Sequence, residues 1–354
     1  MHQRSLLQWR REAAKHRTRL TYVSAAAVGA GTVVVFLWWW WAKRQKDQPP
    51  SQWRKVGELS DLVVYPVKSL GPIRMNTMEC TKLGLKSGWL RDRTLMVIDL
   101  NGHFVTARQW PKMVQVSPSI SGSILTLSAP GMMSETIDLS RLRGKGFRVA
   151  LWGQPVDVYD CGEAPARWLS RFLLQEDTGF RLVYHPWDNS RRGLRENHKQ
   201  FLITTNDTGI YPDATSYCLI NESSVTELNT RLDEPVTTEH FRPNFVIKGA
   251  TAYEEDCWGW VKIGNVTFRC VKPCTRCIFT TVNPETGVKN PKVEPLKTLK
   301  SYRQIVDPVI RPVVGESPVM GVHLGLRGPS GTVQLGDPVY VSVPDEQPLL
   351  ISPP

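Results

Sequence analysis

Three thiols fall within eight residues in Cys270-Val271-Lys272-Pro273-Cys274-Thr275-Arg276-Cys277. Lys272 and Arg276 flank Cys274, and nearby cations favour the thiolate, the form that binds metals and attacks electrophiles. Four chemistries suit such a stretch. A structural zinc site needs four ligands, yet no second Cys-x-x-Cys or His pair accompanies the first, and the seven His are scattered. An iron–sulfur cluster matches the Cys-x3-Cys-x2-Cys spacing, but the barrels that use it are built after the motif, and only 77 residues follow Cys277. Buried cysteines also pack as small hydrophobes, which is the expectation for Cys80, Cys218 and Cys257. Last, one thiolate can ligate a soft metal carried by an organic cofactor. Local spacing does not choose among these.

The elements that would position the thiols read mostly as short strands. Runs at 266–271 and 278–282 flank the motif and place it near a turn between two strands. Earlier strands are expected at 59–67, 94–100, 103–108, 113–116, 123–128, 135–139, 148–152, 156–159 and 181–184. Asn101-Gly102 is the strongest hairpin signal among them. Trp168, Leu169, Phe172 and Leu173 make an apolar stripe at helical spacing over 164–175, expected to face a core. Asn221 is placed to cap a helix reaching Leu232, and a further helix is expected over 294–304. Strands at 245–247, 260–263, 333–335 and 339–343 complete the body. Regular alternation of short strands and turns suits barrels better than a parallel sheet. The expected class is α+β, rich in β, with one β-barrel-like lobe over 56–187 and a second barrel domain over 188–343. No Gly-x-Gly-x-x-Gly, Walker or Gly-x-Ser-x-Gly loop is present.

The net charge of +11 is concentrated at one end. Residues 1–55 hold eleven Lys/Arg against Glu12 and Asp47, so the remaining body is close to neutral and a nucleic-acid partner is not expected. From Leu20 to Ala42 no residue is charged, and 23 residues at ~1.5 Å each give about 34 Å, enough to cross a bilayer core. The run ends in Trp38-Trp39-Trp40-Trp41 and then Lys43-Arg44, an interfacial belt with basic flanks and no small-residue cleavage site. We therefore expect a basic leader (1–19), one transmembrane helix (20–42), a polar linker (43–55) and a frayed tail (344–354). The odd cysteine count points to a reducing compartment.

Five separated pieces together resemble one family: Tyr65-Pro66-Val67-Lys68-Ser69, Arg91-Asp92-Arg93, Phe241-Arg242-Pro243-Asn244, Cys274-Thr275-Arg276-Cys277 and Gly336-Asp337-Pro338-Val339. They look like the molybdenum-cofactor sulfurase C-terminal (MOSC) domain preceded by its N-terminal β-barrel companion. With the basic leader and anchor, the whole resembles the mitochondrial amidoxime-reducing branch of that family. The resemblance implies Mo-molybdopterin, with Cys274 as metal ligand and catalytic residue. Lys68, Ser69, Arg93 and Arg242 would grip the cofactor, joined by Thr215, Ser216, Asn244, Pro273 and Met320. It implies oxygen removal from small N-hydroxylated substrates (amidoximes, hydroxylamines, N-hydroxyguanidines), with electrons relayed from NADH-cytochrome b5 reductase through cytochrome b5. The family's pattern is a single-pass protein of the mitochondrial outer membrane whose catalytic domain faces the cytosol. Arg191, Arg192 and Arg195 are candidates for docking the haem protein. The alternative function is a tethered carrier or sulfur-transfer module that binds the cofactor without reducing anything.

Overall fold

A strand that serves two edges closes the barrel at the centre of this protein. The computed structural model describes residues 48–143, 146–189, 192–342 and Ile351, and Pro50–Pro354 form one compact unit. Strand Arg54–Val64 pairs through its first half with Pro338–Ser342 and through its second half with Phe245–Lys248. Register shifts at Lys55/Gly57 and Leu59/Asp61 mark bulges that bend it from one partner to the other. Gly57 sits at the tightest point: a Cβ there would fall 1.8 Å from the Lys248 carbonyl oxygen. From this strand the barrel runs through Phe245–Lys248, Tyr217–Asn221, Val319–Arg327, Val266–Thr275, Trp260–Ile263 and Pro338–Ser342, seven strands in all. Only the pairing of Tyr217–Asn221 with Phe245–Lys248 is parallel.

Alternating apolar positions fill the interior. Leu59, Leu62, Leu219, Ile247, Val261, Ile263, Leu324 and Val339 are buried around an aromatic centre. There Tyr217 stacks on Phe245 at 5.5 Å, with Phe268 edge-on to both. Such contacts add about 0.5–1.5 kcal/mol each to the burial term. A second core lies under helix Glu163–Leu174, whose Trp168, Leu169 and Leu173 are buried with Leu95, Val97, Phe180 and Leu182. The sheet beneath it joins Leu95–Asp99, Phe180–Tyr184, Gln154–Asp160 and Phe147–Leu151.

The β-rich class and the barrel agree with the expectation, and several elements differ. Residues 103–108 form isolated bridges rather than a strand: the amides of Asp99 and Val105 still bond to the His103 and Val97 carbonyls, and the pairing stops there. Pro111–Gln115 and Ile278–Thr281 are 3-10 turns where strands were expected. The central strand Val319–Arg327 was not anticipated at all, since Gly321 and Gly325 break its apolar pattern. The barrel requires both: added Cβ atoms would meet the Leu219 carbonyl oxygen at 2.4 Å and Asp207 Oδ1 at 2.2 Å. Asn221 does cap Glu222–Asn229, accepting from the Ser223 amide. In the expected tail, Ile351 pairs with Ile305. The expected transmembrane stretch 20–42 lies outside the described residues, among which no helix is long and apolar enough to cross a membrane.

Behind the helix Glu222–Asn229, buried Glu255 accepts hydrogen bonds from Ser224 Oγ and Asn221 Nδ2. Burial, then the neighbouring Asp256 carboxylate, pushes its pKa up to about 7. The folded value exceeds the unfolded one, so the resulting stabilisation is complete below about pH 4.5 and is lost as pH rises through about 7. Chemical denaturation should show unfolding free energy falling as pH rises from about 5 to about 8. Glu255→Gln should flatten that slope; an unchanged slope would assign it to other groups.

Candidate active site

The thiol motif lies at the mouth of the barrel because its strand loses its ladder there. Val266–Thr275 shifts register between Cys270 and Lys272 and again between Pro273 and Thr275, and Pro273 has no amide to donate. The strand carries Cys274 into a cleft partly open to solvent. Just beyond, Arg276 turns back. Its Nε donates to the Met320 carbonyl at 2.8 Å and its Nη1 to the Phe241 carbonyl at 2.7 Å, while Nη2 lies 3.5 Å from Cys218 Sγ.

The wall opposite is built from residues in unusual backbone conformations. Ser69, Arg93 and Arg242 all have positive φ, at 70°, 49° and 51°. Non-glycine residues rarely adopt this region, and such strain collects at functional sites. Arg93 and Arg242 hold their guanidinium groups 4.7 and 4.0 Å from the Tyr65 ring. Arg93 is tied to Asp92 and to the Arg242 carbonyl, and Arg242 donates to the Leu70 carbonyl. Lys68, buried, reaches the Tyr211 carbonyl at 2.9 Å and pairs with Asp213, which Arg108 also contacts. Desolvation lowers the Lys68 pKa to about 8, partly offset by Asp213. Burial opposes charge on Asp213, yet Lys68 and Arg108 hold its carboxyl far below the usual range.

Of the residues expected from sequence, Lys68, Ser69, Arg93, Thr215, Arg242, Asn244 and Cys274 line this one cleft. Ser216 turns elsewhere, donating to the Lys82 carbonyl. Pro273 sits opposite Val322 in the ladder. Met320 is buried beside Ile220, Val225 and Phe241, and its carbonyl serves Arg276. Asn244 braces the wall as well as lining it, bonding Asp92, the Val63 carbonyl and the Cys218 amide.

Sequence reasoning missed Arg108, Asp213, Cys218 and His323, all in the cleft lining. Cys218 was expected to be inert, but its sulfur lies 3.8 Å from Cys274 Sγ. The hydrogen bond between the sulfurs and the Arg276 charge draw the first ionisation of this pair down, against burial, and the same bond holds the second proton on. Among the described residues, Cys218, Cys274 and His323 form the group able to reach one metal ion. Cys270 and Cys277 do not join it, so the three-thiolate cluster spacing does not converge. Burial pushes the Cys270 thiol up to about 12. Cys257, expected to be buried, is exposed.

Of the three residues expected to dock a partner, Arg192 does not face outward. Arg192 is buried and donates to the Thr208, Ile210 and Pro212 carbonyls, so it braces the loop that carries Asp213 rather than facing a partner. Arg195 lies over the Trp152 ring, and Arg191 falls outside the described residues.

Barrel and cleft define a class that comparison with known proteins names. Residues 56–176 match the family model described as the MOSC N-terminal beta barrel domain, and residues 207–340 match the MOSC domain. The chain is 40% identical over 289 residues to mitochondrial amidoxime-reducing component 1 of Homo sapiens, covering 81% of this chain and 84% of that one. It is 36% identical over 323 residues to mitochondrial amidoxime reducing component 2 of Rattus norvegicus, covering 91% and 94%. The chain belongs to the family of mitochondrial amidoxime-reducing components.

Proposed function

We propose that this chain is a molybdenum-cofactor reductase that removes oxygen from N-hydroxylated compounds such as amidoximes, hydroxylamines and N-hydroxyguanidines. The observation that carries the reading is a buried soft donor, Cys274, in a cleft lined by Lys68, Arg93, Arg108, Arg242 and Arg276 against the carboxylate of Asp213, in a chain of this family. The residues fit a pterin bearing phosphate and a soft metal. Arg242, half-buried in the cleft lining, has no carboxylate partner among the described residues. Desolvation lowers its pKa to about 10, and a bound anion would relieve that cost. Arg93, Arg242 and Lys68 would hold the anionic tail, and Cys274 would ligate molybdenum. When bound, the cofactor supplies a metal able to accept an oxygen atom and pass two electrons. The protein fixes the cations and leaves the mouth of the cleft open to a small substrate.

The electron source proposed is cytochrome b5, reduced by NADH-cytochrome b5 reductase. The placement proposed is the mitochondrial outer membrane, with 20–42 as a single-pass anchor and the body in the cytosol. Protein purified from cofactor-replete cells should contain about one molybdenum and one pterin per chain and, after chemical reduction, should convert benzamidoxime to benzamidine. Cofactor without turnover would favour the carrier or sulfur-transfer alternative, and absence of molybdenum would remove both.

A further inference from the structure

We propose that Cys218, Cys274 and His323 form a Cys2His site for a soft divalent ion such as Zn²⁺ in the cofactor-free protein, with a fourth coordination position open. One ligand atom from each residue lies within 4.8 Å of the others. The sulfurs stand 3.8 Å apart. A tetrahedral ion with Zn–S bonds of about 2.3 Å places two thiolates about 3.8 Å from one another, so the pair already has the required spacing.

A disulfide does not fit as well. Tyr217–Asn221 and Val266–Thr275 are not neighbours: Val319–Arg327 lies between them and pairs with both. Two strand spacings around a closed barrel put the backbones about 9 Å apart, beyond the ~7 Å that a disulfide spans without backbone movement. The thiols converge from either side of an intervening strand, which suits an ion between them.

His323, on that intervening strand, completes the triad. Thr215 Oγ1 lies 2.8 Å from the Tyr217 carbonyl and 2.9 Å from His323 Nδ1. When the hydroxyl donates to the carbonyl it accepts from Nδ1–H, and the Nε2 lone pair is left for a metal, the arrangement in which an outer partner orients a ligating imidazole. Arg276 beside Cys218 favours the thiolates. On binding, the two thiol protons leave to solvent as the dication enters. The local charge is unchanged, and the surrounding Lys272 and Arg276 add no net repulsion. Because Cys274 serves both, zinc and the cofactor would exclude one another, but the zinc site does not depend on the molybdenum reading.

The full chain, produced in cells unable to make the pterin, should retain about one Zn²⁺ per chain after dialysis, and zinc should raise its thermal midpoint. Co²⁺ used as a probe should give a thiolate-to-cobalt charge-transfer band. Cys218→Val and His323→Gln should each weaken zinc binding on the order of 100-fold, with circular dichroism checking that each variant is folded. His323→Phe provides a second test of the imidazole. Failure to retain zinc, a cobalt spectrum without a thiolate band, or folded variants that bind within about threefold of the parent would overturn the site. All these readouts are made without cofactor, so loss of reductase activity in the loaded protein would not bear on them.

Discussion

Cys274→Ser is expected to abolish benzamidoxime reduction, by about three orders of magnitude or more, while leaving the fold intact. Serine replaces a large polarisable sulfur by a hard oxygen that does not ionise near neutral pH, so the soft-metal bond has no donor. The cost to folding is small because the change is nearly isosteric and the side chain's hydrogen bond, to the Cys218 sulfur across the intervening strand, is weak. The thermal midpoint should move by no more than about 2 °C. Turnover with a chemical reductant, molybdenum content and thermal unfolding measured on one preparation check the three claims. A variant that still turns over would show that another residue holds the metal.

Arg276→Met is expected to act in the opposite way, through stability first. Arg276 is buried, and its guanidinium ties three segments: Met320 on the central strand, Phe241 before the cation wall, and Cys218. Methionine fills a similar volume but leaves two buried carbonyls without a donor. Charge-assisted bonds of this kind contribute about 1.5–3 kcal/mol each, so a loss of about 3–5 kcal/mol is expected, near 10 °C in thermal midpoint. Arg276→Lys, with one compact charge in place of the fork, should recover part of the loss. If methionine costs less than about 1 kcal/mol, the clamp is not what holds the barrel mouth together.

Much of this site could be read from the chain in advance. Lys68, Ser69, Arg93, Arg242 and Cys274 were implied by the resemblance of short motifs to one family, and the fold brings all five into one cleft. The same reading failed where the partner is distant. Arg192 was a candidate for docking a partner, but it is buried and bonds to carbonyls 16 to 20 residues downstream. Cys218 looked like an ordinary apolar position in Tyr217–Asn221, since nothing near it in sequence reports Cys274. Ile278–Thr281 carried strand-forming residues, yet it closes as a 3-10 turn, with the Thr280 and Val282 amides bonding to the Cys277 and Phe279 carbonyls.

By itself the sequence determined the β-rich class, the helix Glu163–Leu174, the cap at Asn221 and the identity of the thiol motif. Hydrophobic period, turn residues and capping groups act over a few residues and leave a mark in the order of the chain. Only the tertiary structure decided that Val319–Arg327 lies between Tyr217–Asn221 and Val266–Thr275. That one strand order brings Cys218 and His323 to Cys274, and the same closed fold sets Asp213 against Lys68 and Arg108. Barrel closure is a long-range balance of burial and backbone pairing, and two glycines that weaken a strand locally are what allow this one to fit.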